Sequence, residues 1–287
     1  IEEKIIFGLA NSNSAYAHNS IWLNTISLFS LPKNNFNFLT LPSYLIYNLF
    51  IIFSLKNILK TNNQKISNYF LIICVFYLLL KFTRISEYGN DLPAVIFSIL
   101  SIFYFLRYSE TKDNQNKIFY FFCCFSFAVF SVLIKLSGIP ILILPLILFL
   151  KNYEKLKKQV FNVNYLFIYS LVFIFYLQQF FYTSCIIFPA IFTCLDTEWF
   201  NKDFLLLREN IELINKSYYA SENLLTKQDY LSKLNWFPFW LERNYHEIFE
   251  NILTIFLPIV LLIFLLPRKK KNIVLFSRNK NLFILFI

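Results

Sequence analysis

Apolar residues along this chain fall in long blocks and show no strand-like alternation. The blocks at 36–55, 68–82, 92–106, 118–134, 164–182 and 251–267 are nearly unbroken, and a shorter one occupies 139–150. A bilayer's hydrocarbon core, about 30 Å thick, takes about 20 apolar residues as a helix. Lipid offers backbone N–H and C=O groups no partner, so a segment lodged there must satisfy them internally. The pattern therefore predicts an all-α membrane protein, a polytopic bundle of transmembrane helices. The block 68–82 is borderline in length. Twelve residues at 139–150 give only about 18 Å of helix. They are expected to cross all the same, kinked at Pro145, because otherwise the Lys-rich 151–158 would change sides.

Charge then orients the blocks. The connections 56–67, 107–117, 151–159 and 268–280 hold 16 of the 27 Lys and Arg residues against three acids, Glu110, Asp113 and Glu154. Basic residues in short loops mark the cytoplasmic side. The segments 1–35, 83–91, 135–138 and 183–250 are accordingly expected outside. Composition supports this picture: 57% of residues are hydrophobic, 37 are Phe, and 15% are charged, against about 25% charged in a soluble domain. The net charge of +10 is taken up by orientation signals, which argues against a nucleic-acid partner and for membrane lipid.

Four stretches follow. Residues 1–35 form the tail of an outer loop with an interfacial helix, 36–182 the helix bundle, and 183–250 an outer-face loop subdomain. Residues 251–287 hold a further helix, a basic inner loop and the start of another span. The chain has no Met, and its final apolar run from Asn281 stops at Ile287. The expectation is a fragment that lacks the N-terminal and C-terminal parts of a longer protein.

Residues with chemistry concentrate on the predicted outer side, where all three Gly, both His and all four Trp fall. The densest cluster runs from Lys81 to Pro93 and includes Arg84, Glu87 and Asp91. A tight turn needs a Gly and a Pro, not two cations and two acids at a membrane edge, where charge is expensive. An Arg fork suits a phosphate, and carboxylates suit hydroxyls; a solvated turn with an Arg–Glu pair is the plainer alternative. Lys135 either snorkels to head groups or joins Arg84 on a phosphate. Cys185 and Cys194, nine positions apart on the outer side, are either a disulfide or two free thiols, whereas Cys74, Cys123 and Cys124 read as small apolar filler. Trp236 and Trp240 read as anchors at the membrane interface. No metal-ligand spacing, Gly-rich phosphate loop or catalytic triad pattern is present, and no cofactor is identified.

Three patches carry a resemblance. They are Gly8-Leu9-Ala10-Asn11 with His18-Asn19-Ser20-Ile21-Trp22, then Arg84 through Pro93, then Ser184 through Pro189 with Thr193, Cys194 and Trp199. Together they resemble a bacterial family of multi-span membrane proteins without an assigned function, itself distantly similar to the GT-C glycosyltransferases of the protein-mannosyltransferase type. The resemblance implies a GT-C-like bundle in the bacterial inner membrane, with its functional face toward the periplasm. It further implies a polyprenyl-phosphate sugar as donor and a catalytic carboxylate in the first outer loop. Neither Glu2 nor Glu3 matches a motif for that base, which is expected upstream. Arg84, Glu87, Asp91 and Lys135 are the expected substrate-binding residues. An O-antigen polymerase or ligase, a transporter and a non-catalytic membrane protein are the alternatives.

Overall fold

The structure, a computed structural model, describes residues 7, 19–29, 39–60, 65–82, 89–188, 190–200, 229–230 and 234–265. Helix α1 spans Ile21–Ser27, α2 Leu41–Lys60, α3 Ile66–Leu80, α4 Asp91–Glu110 and α5 Asn114–Ile134. A 3-10 segment at Leu136–Leu142 leads into α6 at Ile143–Lys151; α7 at Tyr153–Leu156 and α8 at Val163–Thr183 follow. The last described helix, α9, is Phe237–Leu265. Among the described residues there is no β-strand, only an isolated bridge between Cys185 and Cys194. Helices α2, α4, α5 and α8 are long and apolar enough to cross a membrane, while α3 and Leu136–Lys151 are shorter apolar helices.

The centre of the bundle is the α4–α5 hairpin. Asp113 sets its turn by capping α5 through the Gln115 N–H. Small residues let the two backbones approach, as is usual between helices in lipid, where no hydrophobic force favours helix over chain. Ser131 donates to the Ala94 carbonyl at 3.1 Å and sits 2.8 Å from the Ser98 hydroxyl. Further along, Ser101 donates to the Cys124 carbonyl at 2.9 Å, and Ala128 is fully buried. Around this pair, Tyr47, Phe50, Leu71, Leu78, Ile96 and Phe103 join α2, α3 and α4. Phe105, Phe121, Leu148, Leu156 and Tyr165 join α4 to α5, α6, α7 and α8.

The peripheral helices have the opposite surface. On α2, Leu45, Leu49 and Ile52 are exposed; on α8, so are Leu166, Phe167 and Phe173. An apolar surface this continuous is a site of contact with lipid or protein. The short α1 is tucked in: Trp22 and Ile26 pack on Ala94 and Ile134. Its N-cap Ser20 spends its hydroxyl on the Ile134 carbonyl at 2.8 Å, so it makes no side-chain cap for α1.

One expectation is refined and one changes. The short crossing segment passes from 3-10 turns to α-helix at Leu142–Ile143, immediately before Pro145. Pro145 is the third residue of α6, a position whose N–H has no helical partner in any case. A 3-10 helix rises about 2.0 Å per residue, which adds only about 2 Å to the about 18 Å expected of 139–150; the helical stretch Leu136–Lys151 reaches about 27 Å mainly because it is four residues longer. In addition, α9 passes through position 250 as one helix that starts at Phe237, whereas the sequence pattern places a change from loop to span there.

Candidate binding site where α3, α4 and α5 meet α9

Three helix ends and one helix side border an open cavity of about 390 Å³, within the roughly 300–1,000 Å³ usual for small-molecule sites. Helix α3 brings Tyr77 and Lys81, α4 brings Asp91 and Ser98, α5 brings Ser131 and Lys135, and α9 brings Glu247. Ser137 and Gly138 of the 3-10 segment complete it.

The charges occupy favourable helix ends. Asp91 is the first residue of α4, and Lys135 is the C-cap of α5, so each complements a helix dipole. Their side chains form an ion pair in which Lys135 is 45% and Asp91 56% exposed. A pair this open contributes about 0–1 kcal/mol, so an incoming anion or hydroxyl can displace it cheaply. Lys81, the C-cap of α3, is buried and bonded to Glu250. Burying its ammonium unpaired would cost several kcal/mol, so this contact also ties α9 to the bundle. Gly138 makes a close approach: a Cβ there would lie 2.7 Å from the Ser131 hydroxyl and 3.1 Å from the Ser131 carbonyl carbon.

Of the four substrate residues expected from sequence, Asp91 and Lys135 come together on this cavity. Arg84 and Glu87 lie outside the described residues, as do His18 and the 8–18 patch. His246 is exposed on α9 beside Tyr245, with ring centres 3.8 Å apart and ring planes tilted by 36°. Among the described residues no group of three His, Cys, Asp or Glu side chains could hold a metal ion. Sequence reasoning missed Glu247 and Glu250, which it had assigned to a loop. Helical spacing of Arg243, Glu247 and Glu250, continued upstream from the apolar run, is the signal that reveals them.

A second polar cluster lies at the opposite end of α4. Arg107 donates to the Asn68 side-chain oxygen at 2.8 Å and faces the Phe103 ring at 5.1 Å. Glu110 accepts from the Ser67 N–H at 2.9 Å and the Ser67 hydroxyl at 2.6 Å, which satisfies the first turn of α3.

Beyond α8, the chain turns at Ser184, which has a positive φ of 62°. Cys185 and Cys194 are joined by a disulfide, their Cα atoms 3.8 Å apart. The flanking bonds, Ile186 N–H to the Thr193 carbonyl and Leu195 N–H to the Ser184 carbonyl, make this the non-hydrogen-bonded pair of an antiparallel ladder, the position of closest Cα approach.

Helices of membrane-spanning length around a charged cavity define a helical protein of the membrane class. The chain belongs to the family described as a domain of unknown function, DUF8201, which matches residues 2–287. No curated protein and no solved structure matches the chain.

Proposed function

We propose that this is a polytopic membrane protein of the bacterial inner membrane, GT-C-like in architecture, which moves a sugar from a polyprenyl-phosphate donor at the periplasmic face. The observation that carries the reading is the cavity of about 390 Å³ with its loosely held Asp91–Lys135 pair. A leaving phosphate needs fixed positive charge as its bond breaks. Lys135 provides it, with Arg84 assigned as a second cation; Asp91 and Glu87 are assigned to the sugar hydroxyls, as Glu247 and the serines also can be. The base that activates the acceptor is a carboxylate outside these residues. The basic connections face the cytoplasm, so reporters fused at Lys158 and Lys227 give opposite sides.

The test uses the full-length protein in nanodiscs with polyprenyl-phosphate hexoses, following sugar release. Lys135→Ala and Arg84→Ala each slow transfer by roughly 10²–10³, as loss of one electrostatic donor does elsewhere. Transfer undiminished in both variants overturns the reading. Substrate passage in place of transfer draws on one observation, the 3-10-to-α break beside the cavity, because broken helices form transporter sites. Uptake of a solute into vesicles, lost in Lys135→Ala and without sugar release, selects it.

A further inference from the structure

Between α5, α6 and α8 runs an apolar groove of about 360 Å³, lined by Phe121, Phe125, Leu146, Phe149, Val160 and Tyr165 among others. Between two of its lining residues, Phe149 and Val160, the chain carries Lys151, Lys155, Lys157 and Lys158 against a single acid, Glu154. The segment is held in place. Lys157 N–H donates to the Tyr153 carbonyl at 2.8 Å, and Val160 N–H to the Leu156 carbonyl at 3.1 Å. Leu156 is buried in the same core cluster as Phe121, Leu148 and Tyr165, and the Tyr169 hydroxyl donates to the Val160 carbonyl at 3.2 Å. Lys157 is occupied, 2.5 Å from Glu154 and 5.4 Å from the Tyr153 ring centre. Lys151, Lys155 and Lys158 are exposed.

We propose that the groove and these three lysines form a binding site for one anionic glycerophospholipid, with an acyl chain in the groove and the phosphate among Lys151, Lys155 and Lys158. The groove alone takes any lipid chain. The lysines, carried on the segment that Leu156 and Val160 anchor next to the groove, set the preference for a negative headgroup, with roughly a fivefold gain per basic residue. This goes beyond the transfer reading and is independent of it: the groove and the charged cavity share no lining residue.

The experiment is native mass spectrometry of the full chain, extracted from nanodiscs made of equal phosphatidylglycerol and phosphatidylcholine. Wild type retains one phosphatidylglycerol in preference to phosphatidylcholine. Lys155→Gln with Lys158→Gln lowers phosphatidylglycerol retention by roughly tenfold or more and leaves phosphatidylcholine unchanged. Leu146→Trp, which fills the groove from its exposed side, lowers retention of both. Lys56→Gln with Lys60→Gln, on exposed residues of another basic connection, changes neither. Phosphatidylglycerol retention that is unaltered by the first pair, or that falls equally with the control pair, overturns the proposal; so does unaltered retention in Leu146→Trp.

Discussion

The two ends of α4 carry similar residues in opposite circumstances. At one end Asp91 and Lys135 face each other half exposed, with a cavity beside them. At the other, Arg107 and Glu110 are 8% and 16% exposed, and both oxygens of Glu110 already accept from Ser67. A buried charge already held by several partners keeps helices in register and has little access to a ligand. A charge in a weak, open pair beside empty space can exchange that partner for a substrate at little expense. Partner saturation thus separates the frame from the site more sharply than charge density does.

That distinction breaks first at the buried end. Asn68→Leu removes the acceptor of the Arg107 guanidinium and leaves a buried charge short of a partner. It should lower the unfolding free energy by about 2–4 kcal/mol, measured as the shift of the unfolding midpoint in detergent titration. A loss within about 0.5 kcal/mol, the range of an ordinary surface change, would put both ends in one class.

The loop beyond α8 offers a second measure of frame. With Cys185 and Cys194 bonded, neither thiol should label without reductant. Cys185→Ser should then cost about 2–3 kcal/mol, mostly through the freedom returned to the unfolded chain. Full labelling before reduction overturns the bond.

Hydropathy located the helices because lipid imposes one solution on a long apolar block: α8, at Val163–Thr183, lies on the block 164–182. It placed the charges less well, because a count of loop residues cannot distinguish a solvated Arg from a buried one. Arg107 entered the orientation argument as a loop cation, yet α4 continues to Glu110 and Arg107 is buried against Asn68. Asp91 and Lys135 were legible as charges at helix ends, but their pairing joins residues 44 positions apart and follows only from how α4 and α5 pack. Glu247 and Glu250 were hidden because the amphipathic start of α9 reads as a polar loop when a uniform apolar block is sought. The segment expected to kink at Pro145 changes from 3-10 turns to α-helix just before it, and Pro145 itself stands in the first turn of α6, where proline is tolerated.

Gly138 tests the wall between frame and site. In Gly138→Ala the new methyl meets the Ser131 hydroxyl at 2.7 Å, so the 3-10 segment or Ser131 must shift, at about 1–3 kcal/mol. Ser131→Ala in the same chain should restore part of the loss, because it removes the hydroxyl but leaves the backbone carbon at 3.1 Å. Strict additivity of the two variants, within about 0.3–0.5 kcal/mol, would show that the two residues do not press on each other.

The smallest expected effect on stability is at the open end and is the most informative for function. Asp91→Asn keeps the shape of the side chain and removes its charge. Because the pair is half exposed on both sides, stability should change by no more than about 1 kcal/mol. The change also frees Lys135 from its competitor, so a carrier phosphate no longer has to displace a carboxylate. Under the proposed transfer, binding of polyprenyl phosphate should therefore tighten, while sugar release from the glycosylated carrier should slow, because the hydroxyls lose a charged acceptor. Tighter binding with slower release places Asp91 on the substrate. Unchanged binding and release, together with a stability loss like that of Asn68→Leu, would make the Asp91–Lys135 pair a second piece of frame.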